Sequence, residues 1–228
     1  MNKTIIYTII TGNYDYIKQP MVLTPGVEYV LFTNNREIKD AGVWKVVQIP
    51  SEEWTGRTER ENNILLSRKV KMLPHEYLPE VVEWSIYIDA DMVIKRPLTE
   101  LLNNLHSKTL IAACRHSYCK NVQEEIEDLL AKNMVRPEQV KEQWQKYTEW
   151  GFWDDLGISE NGLLIRRHND RRLQKLMELW WSEYQQGCLR DQVSLMPCMY
   201  KEDFVPYFKF IEKNIRANEY LDVLKHNY

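Results

Sequence analysis

The chain has 228 residues, enough for one full hydrophobic core and better suited to one large domain than to two small ones. Thirty basic against thirty-three acidic side chains leave a net charge of −3, without the basic excess of a dedicated nucleic-acid binder. Hydrophobic residues at 44% and charged residues at 28% exclude a disordered chain, and no apolar run reaches the ~20 residues that cross a bilayer.

Residues 4–11 are rich in β-branched side chains and predict a first buried strand. That strand runs straight into Thr11-Gly12-Asn13-Tyr14-Asp15 with no small-residue cleavage site, so no export signal is expected and the expected location is cytoplasmic. Residues 27–33 predict a second strand behind the turn Thr24-Pro25-Gly26, and residues 43–49 a third, stopped by Pro50. Residues 59–73 predict a helix ending at Pro74. Residues 84–89 make a continuous apolar strand, of the kind buried in a mostly parallel sheet. Thr99 is placed to cap a short helix to Leu105, and residues 109–113 predict a small strand. Helical spacing returns over 122–132, and Pro137 opens a further helix with Val140, Trp144 and Tyr147 as its buried stripe. A strand over 159–166, an amphipathic helix over 170–184 and a shorter helix over 191–199 follow. No linker or repeat interrupts residues 1–228. The alternation predicts a single α/β domain with a mainly parallel central sheet flanked by helices.

The four cysteines, Cys114, Cys119, Cys188 and Cys198, are expected to be free thiols in a cytosolic chain. Cys114, His116 and Cys119 lie close together. They lack the two-residue spacing of a zinc knuckle and a matching second pair, so structural zinc is not expected.

The sharpest chemical feature is Tyr87-Ile88-Asp89-Ala90-Asp91. Residues two apart on extended chain face the same way, so Asp89 and Asp91 would aim their carboxylates at one point. That point lies at the carboxyl end of a central strand, the edge where open α/β sheets bind ligands. Two close carboxylates repel unless a cation lies between them, and hard oxygen donors suit Mn²⁺ or Mg²⁺ together with phosphate oxygens. The plain alternative is a strand-end turn with two solvated acids.

Two enzyme classes use such a pair. In a nucleotide-sugar glycosyltransferase the metal bridges the diphosphate leaving group. In a haloacid-dehalogenase-type phosphatase Asp89 would be the nucleophile and Asp91 the acid. That second class usually carries the motif on its first strand and needs a later Gly-Asp motif, absent here. A non-catalytic glycan-binding module is the third reading.

Other residues join the pair. Arg68 and Lys71 lie three apart on a helix, hence on one face, and suit a diphosphate or a base; a solvated basic face is the bland reading. Glu160 and Asn161 open an apolar strand, and Gly162 allows close backbone approach. The aromatic loop 150–155 offers either a sugar platform or buried packing. Asp191, after Arg190 and before Gln192, is either a site acid or an N-cap.

Taken in order, these pieces resemble the glycosyltransferase-like family of plant pollen-turgor and seed-mucilage proteins, related to glycosyltransferase family 8. The matching residues are Thr11 to Asp15, Phe32-Thr33, Arg68 to His75, Ile88 to Asp91, and Arg115-His116 with Cys119 and Glu124. Asn161-Gly162 to His168-Asn169, Trp180-Trp181 and Arg190-Asp191-Gln192 complete the set, over roughly residues 4 to 200. The resemblance implies a GT-A fold, a Rossmann-like domain that binds a nucleotide sugar with Mn²⁺ or Mg²⁺. It implies Asp89 and Asp91 as metal ligands, with His226 as the candidate third. It implies Thr11, Gly12, Asn13, Tyr14, Thr33, Arg68, Lys71, Asp89 and Ala90 around the nucleotide sugar. Glu160, Asn161, Asp191 and Gln192 would face donor sugar and acceptor. The implied partners are a nucleotide-sugar donor, expected to be a UDP-sugar, and a glycan acceptor, in a polysaccharide-building reaction that retains configuration. No nucleic-acid partner and no transmembrane segment are expected, which leaves room for peripheral membrane contact.

Overall fold

The computed structural model describes residues 3–211 and 214–224. Nine strands and five α-helices alternate along the described residues. They are β1 (Lys3–Ile10), β2 (Val27–Thr33), β3 (Lys45–Gln48), α1 (Glu59–Met72), β4 (Val82–Ile88), β5 (Met92–Ile94) and β6 (Ile111–Arg115), then α2 (Val122–Ala131), α3 (Pro137–Glu149), β7 (Ser159–Arg167), α4 (Arg171–Gln186), α5 (Asp191–Lys201), β8 (Phe208–Ile211) and β9 (Leu221–Val223). Seven strands form one sheet in the order β3-β2-β1-β4-β7-β6-β8, and β5 pairs with β9 in a small second sheet.

The sheet is parallel through β3, β2, β1 and β4, and again between β6 and β8. β7 runs antiparallel to both its neighbours, β4 and β6. That single reversal positions the site. β1, β2 and β4 deliver their carboxyl ends to one edge, and β7 delivers its amino end to the same edge. The amide of Asp89 donates to the Gly162 carbonyl at 2.9 Å across this junction.

Strand alternation divides the core between two faces. Ile5, Tyr7, Ile9, Tyr87 and Leu164 meet the helices on one side, with Leu65, Leu66, Val70, Trp180 and Leu195. Ile6, Ile10, Ile86, Ile88, Leu163 and Ile165 face the other side, under Met92, Ile94, Leu98, Ile215 and Leu221. Both faces are covered, which is why the central strands read as unbroken apolar runs.

Several local expectations shift. Residues 98–105 form a 3-10 turn, Leu98–Asn104, behind Pro97, with no side-chain cap from Thr99. The third strand covers only Lys45–Gln48, and β4 starts two residues early and ends at Ile88, leaving Asp89 and Ala90 in a turn. α1 begins with a full capping box, Thr58 and Glu61 each bonding the other's backbone. The aromatic loop packs: Phe152 is buried, Trp150 lies against Tyr147, and Asp154 accepts the first amides of α2 at 2.8–3.0 Å. Of the aromatic side chains in that loop, Trp153 alone stands out in solvent.

Candidate active site

The edge where β4 and β7 meet opens into a cleft of about 120 Å³. Arg68 and Lys71 reach it from the last turns of α1, Asp89 and Asp91 from the turn after β4, and Glu160 and Gly162 from β7. Asp191 and Gln192 enter from the start of α5, and Ile215, Arg216 and Val223 from the carboxyl-terminal segment.

Lys71 is the pivot. Its ammonium is 2% exposed, 2.6 Å from Asp191 Oδ2 and 3.8 Å from Asp89 Oδ1. A solvated basic face is therefore excluded, and so is simple N-capping by Asp191, which is the first residue inside α5 and gives its carboxylate to Lys71. Burial alone would raise the Asp191 pKa; the charges of Lys71 and Arg68 outweigh it and hold this carboxyl below the ordinary carboxylate range. Burial would lower the Arg68 pKa, and Asp191, Tyr87 and Asp89 together raise it, so Arg68 keeps its charge at the cleft wall. The Trp180 indole donates to the Asp191 carbonyl at 3.1 Å and fixes the start of α5 from α4.

Asp89 is held on both sides. Its Oδ1 accepts from the Tyr87 hydroxyl at 2.5 Å, while Oδ2 lies over the bare Cα of Gly162. Burial first, and the Asp89 charge second, raise the Tyr87 pKa, so this hydroxyl stays a donor. Glu160 accepts from Ser117 Oγ at 2.5 Å and sits 4.0 Å from the Arg216 guanidinium. Gln192 lines the cleft, and its Oε1 is buried with no hydrogen-bond partner.

The donor chemistry fits a divalent cation. Asp89 and Asp91 offer hard oxygen donors, with Asp89 held by the Tyr87 hydroxyl, and two carboxylates together with substrate phosphates would suit Mn²⁺ or Mg²⁺. His226 lies outside the described residues. A different trio, His116, Cys119 and Glu125, brings its ligand atoms within 4.8 Å of one another. It is hydrogen-bonded rather than poised for metal. His116 Nδ1 accepts the Cys119 amide at 2.9 Å, which leaves the ring proton on Nε2, facing Glu125 at 3.5 Å. Arg190 stands 3.8 Å from the other Glu125 oxygen. Cys114 points elsewhere, toward Asn218, and all four cysteines are free and buried.

A sequence model of the TOD1/MUCI70 glycosyltransferase-like domain matches residues 1–210. The chain belongs to this family. Among solved structures it is similar to the apo form of mouse xyloside xylosyltransferase 1, with a TM-score of 0.50 at 10% identity over 92% of this chain and 85% of that one. The galactosyltransferase LgtC, solved with donor and acceptor sugar analogues, aligns with a TM-score of 0.47 at 14% identity over 90% of this chain and 72% of that one. A comparison with curated proteins finds no match. Family and architecture make this a glycosyltransferase of the GT-A fold.

In this glycosyltransferase the expected residues fall into two groups. Asp89, Asp91, Arg68, Lys71, Glu160, Asp191 and Gln192 share the cleft, and Ala90 sits half-buried in the turn between the two acids. Thr11, Gly12, Asn13 and Thr33 do not line it. They form a polar cluster at the ends of β1 and β2. Thr11 Oγ1 donates to the Asn63 carbonyl at 2.8 Å, the Gly12 amide to Asn34 Oδ1 at 2.8 Å, and Asn35 Nδ2 to Asn13 Oδ1 at 2.7 Å. Asn63 precedes Arg68 on α1 by five residues, so this cluster lies about 7.5 Å along the helix from the cleft. Tyr14 is half-exposed beside it. Asn161 points away from Glu160, as strand alternation requires, and is buried against Ser159 Oγ at 2.7 Å. Tyr87, Ser117 and Arg216 complete the site without having been expected. Tyr87 carries a sequence signal, standing two residues before Asp89 on the same strand face; the other two depend on loops and carry none.

Proposed function

We propose that this protein moves a sugar from a UDP-sugar to a glycan hydroxyl with retention of configuration, in a metal-dependent reaction in the cytoplasm. The observation that carries the reading is the meeting of Asp89 and Asp91 with Arg68, Glu160 and Gln192 in one cleft at the carboxyl edge of β4. Asp89 and Asp91 would hold Mn²⁺ or Mg²⁺, which when bound supplies Lewis-acid stabilisation of the departing diphosphate. Arg68, kept protonated by its acidic neighbours, adds positive charge where the diphosphate develops negative charge. Lys71 is spent on Asp191 and Asp89 and acts by positioning them. Glu160 offers an acceptor for sugar hydroxyls, and Gln192 lines the same cleft.

In the transfer, the acceptor oxygen bonds to the anomeric carbon as the bond from that carbon to the phosphate oxygen breaks. The acceptor proton leaves on the phosphate. Asp191, with its basicity lowered by Lys71, is a poor general base, which suits a same-face reaction that asks for none. The phosphatase reading is disfavoured, because Asp89 follows the fourth strand rather than the first and the later Gly-Asp motif of that class is missing from the sequence.

A thermal-shift panel of UDP, GDP, CMP and their sugar conjugates, with and without Mn²⁺, tests the donor class. The expected result is stabilisation by UDP or a UDP-sugar that requires the ion. Asp91→Asn should remove that dependence and at least about 100-fold of the transfer rate, as losses of single electrostatic groups do. Unchanged turnover in Asp91→Asn overturns the assignment.

A further inference from the structure

The donor cleft has an outer rim that the transfer step leaves unused. β6 ends at Arg115, opposite Ser159 at the start of β7, and the loop that follows it stays beside that strand end. Ser117 of this loop donates to Glu160, the carboxylate that β7 contributes to the cleft. The next residue, Tyr118, is 75% exposed, and the Arg216 guanidinium lies 5.6 Å from the centre of its ring. Arg216 in turn stands 4.0 Å from Glu160. Glu160 and Arg216 line the cleft and Tyr118 does not, so the tyrosine ring stands one step outside it.

Single exposed aromatic side chains are ordinary on a protein surface. This one differs in how firmly its loop is held. His116 Nδ1 accepts the Cys119 amide at 2.9 Å, with the Tyr118 amide at 3.4 Å beside it. The other ring nitrogen faces Glu125 Oε2 at 3.5 Å, and Cys119 Sγ donates to the same oxygen at 3.4 Å. Glu125 is buried on α2, and Arg190 meets its second oxygen at 3.8 Å from the turn into α5. A buried carboxylate and an imidazole thus fix the backbone on both sides of a ring that the fold itself hardly buries.

A fixed tyrosine offers a broad, flat contact face at little further cost in side-chain entropy. The negative face of such a ring attracts the C–H groups that line one side of a pyranose. We propose that Tyr118 is a platform for the acceptor glycan, lying against the sugar next to the one that carries the attacking hydroxyl. The proposal rests on the transferase reading and adds the acceptor's size and charge to it. The size is at least two sugars, because the reacting sugar occupies the space along Glu160 and Arg216 and only the next reaches Tyr118. The glycan is neutral there, because Arg216 and Glu160 answer each other and leave no spare charge for an acidic sugar.

Saturation-transfer NMR on the full chain with UDP and Mn²⁺ tests this, with cellobiose, lactose and maltose as probes and the methyl glycosides of their non-reducing sugars as controls. At least one disaccharide should bind, with saturation reaching the C–H protons of its outer ring. Tyr118→Ala should weaken that disaccharide at least about fivefold, as truncation of an aromatic anchor does, and leave the methyl glycoside within about twofold. Tyr118→Phe, which keeps the ring, should bind like the parent. Thermal stabilisation by UDP and Mn²⁺ should be the same in all three proteins, because Tyr118 lies outside the donor cleft. Failure of that stabilisation in the parent counts against the transferase reading, whereas failure of the platform leaves it intact. The platform is overturned if no disaccharide binds, if Tyr118→Ala binds the disaccharide as the parent does, or if it loses the methyl glycoside equally.

Discussion

A Cβ built at Gly162 would stand 2.9 Å from Asp89 Oδ2 and 2.8 Å from Ile215 Cδ1, and would run into Met92 Cε. Met92 is flexible and can swing aside. Asp89 cannot, because Tyr87 and Lys71 hold its other oxygen. Gly162→Ala should therefore displace the carboxylate and lower kcat/KM at least about tenfold, a loss of roughly 1.4 kcal/mol in transition-state stabilisation. Activity within twofold of the parent would mean that Asp89 has room to spare. Lys71 makes a different test. Removing one partner of a buried ion pair costs about 3–5 kcal/mol, so Lys71→Met should be strongly destabilised at pH 7. Asp191 is the depressed member of that pair, so its contribution is complete above the unfolded carboxyl value of about 3.9 and is lost as the pH falls below it toward the lower folded value. Urea melts from pH 7 to pH 2 should show the parent weakening below about pH 4. In Lys71→Met burial is no longer offset by the lysine, and that acid limb should flatten or reverse; parallel curves would show that Lys71 does not set the Asp191 charge.

At the scale of elements, the cleft depends on how α1, α4 and α5 are joined. Trp180 of α4 is completely buried, and its indole holds the Asp191 carbonyl at the turn into α5. That turn is further pinned by the Cys188 amide on Gln143 Oε1 at 3.0 Å. Trp180→Phe keeps most of the apolar volume and removes the hydrogen bond. It should cost about 1–3 kcal/mol, read as a lower urea midpoint at unchanged m value, and raise KM for the donor more than it lowers kcat. A reverse split, with kcat alone affected, would assign Trp180 a role in the chemical step. The long elements are legible in the sequence because several signals agree on them. α1 has Thr58 and Glu61 at its start, its buried stripe, and Pro74 beyond its end; α4 has Asp170 as cap and a continuous apolar face. β5, β8 and β9 escape notice because three or four residues carry no periodicity and their partners are remote, as with Met92 opposite Val223. The cleft divides the same way. Arg68 with Lys71, three apart on a helix, is visible as a shared face, and Asp89 with Asp91 as a close pair, although a turn after β4 and not strand alternation brings both acids to the cleft. Ser117 and Arg216 meet Glu160 only through loops whose course no spacing encodes.

At the scale of the whole molecule, the carboxyl-terminal segment returns to the site it helps build. The family match ends at residue 210, yet Ile215, Arg216 and Val223 line the cleft. β9 pairs with β5 directly after Asp91, and the Leu224 amide donates to the Asp91 carbonyl at 2.9 Å. Arg96 with Glu219 at 2.6 Å and Lys95 with Asp222 at 2.6 Å tack the same segment down from outside; as exposed pairs they contribute little. The anchoring energy comes instead from Ile215 and Leu221, each 1% exposed, at roughly 1.5–3 kcal/mol apiece. A chain stopped after Ile211 keeps all seven strands of the main sheet, so it should still unfold cooperatively, at a melting temperature lowered by about 6 °C or more. It should lose the ion-dependent stabilisation by UDP, because the wall opposite Asp89 and Asp91 is gone. Arg216→Ala, whose side chain is half-exposed and contributes little to the core, separates the two effects: its melting temperature should stay within about 2 °C while UDP binding weakens. If UDP stabilises the shortened chain as strongly as the full one, the segment is a brace for the second face of the sheet and no part of the donor site.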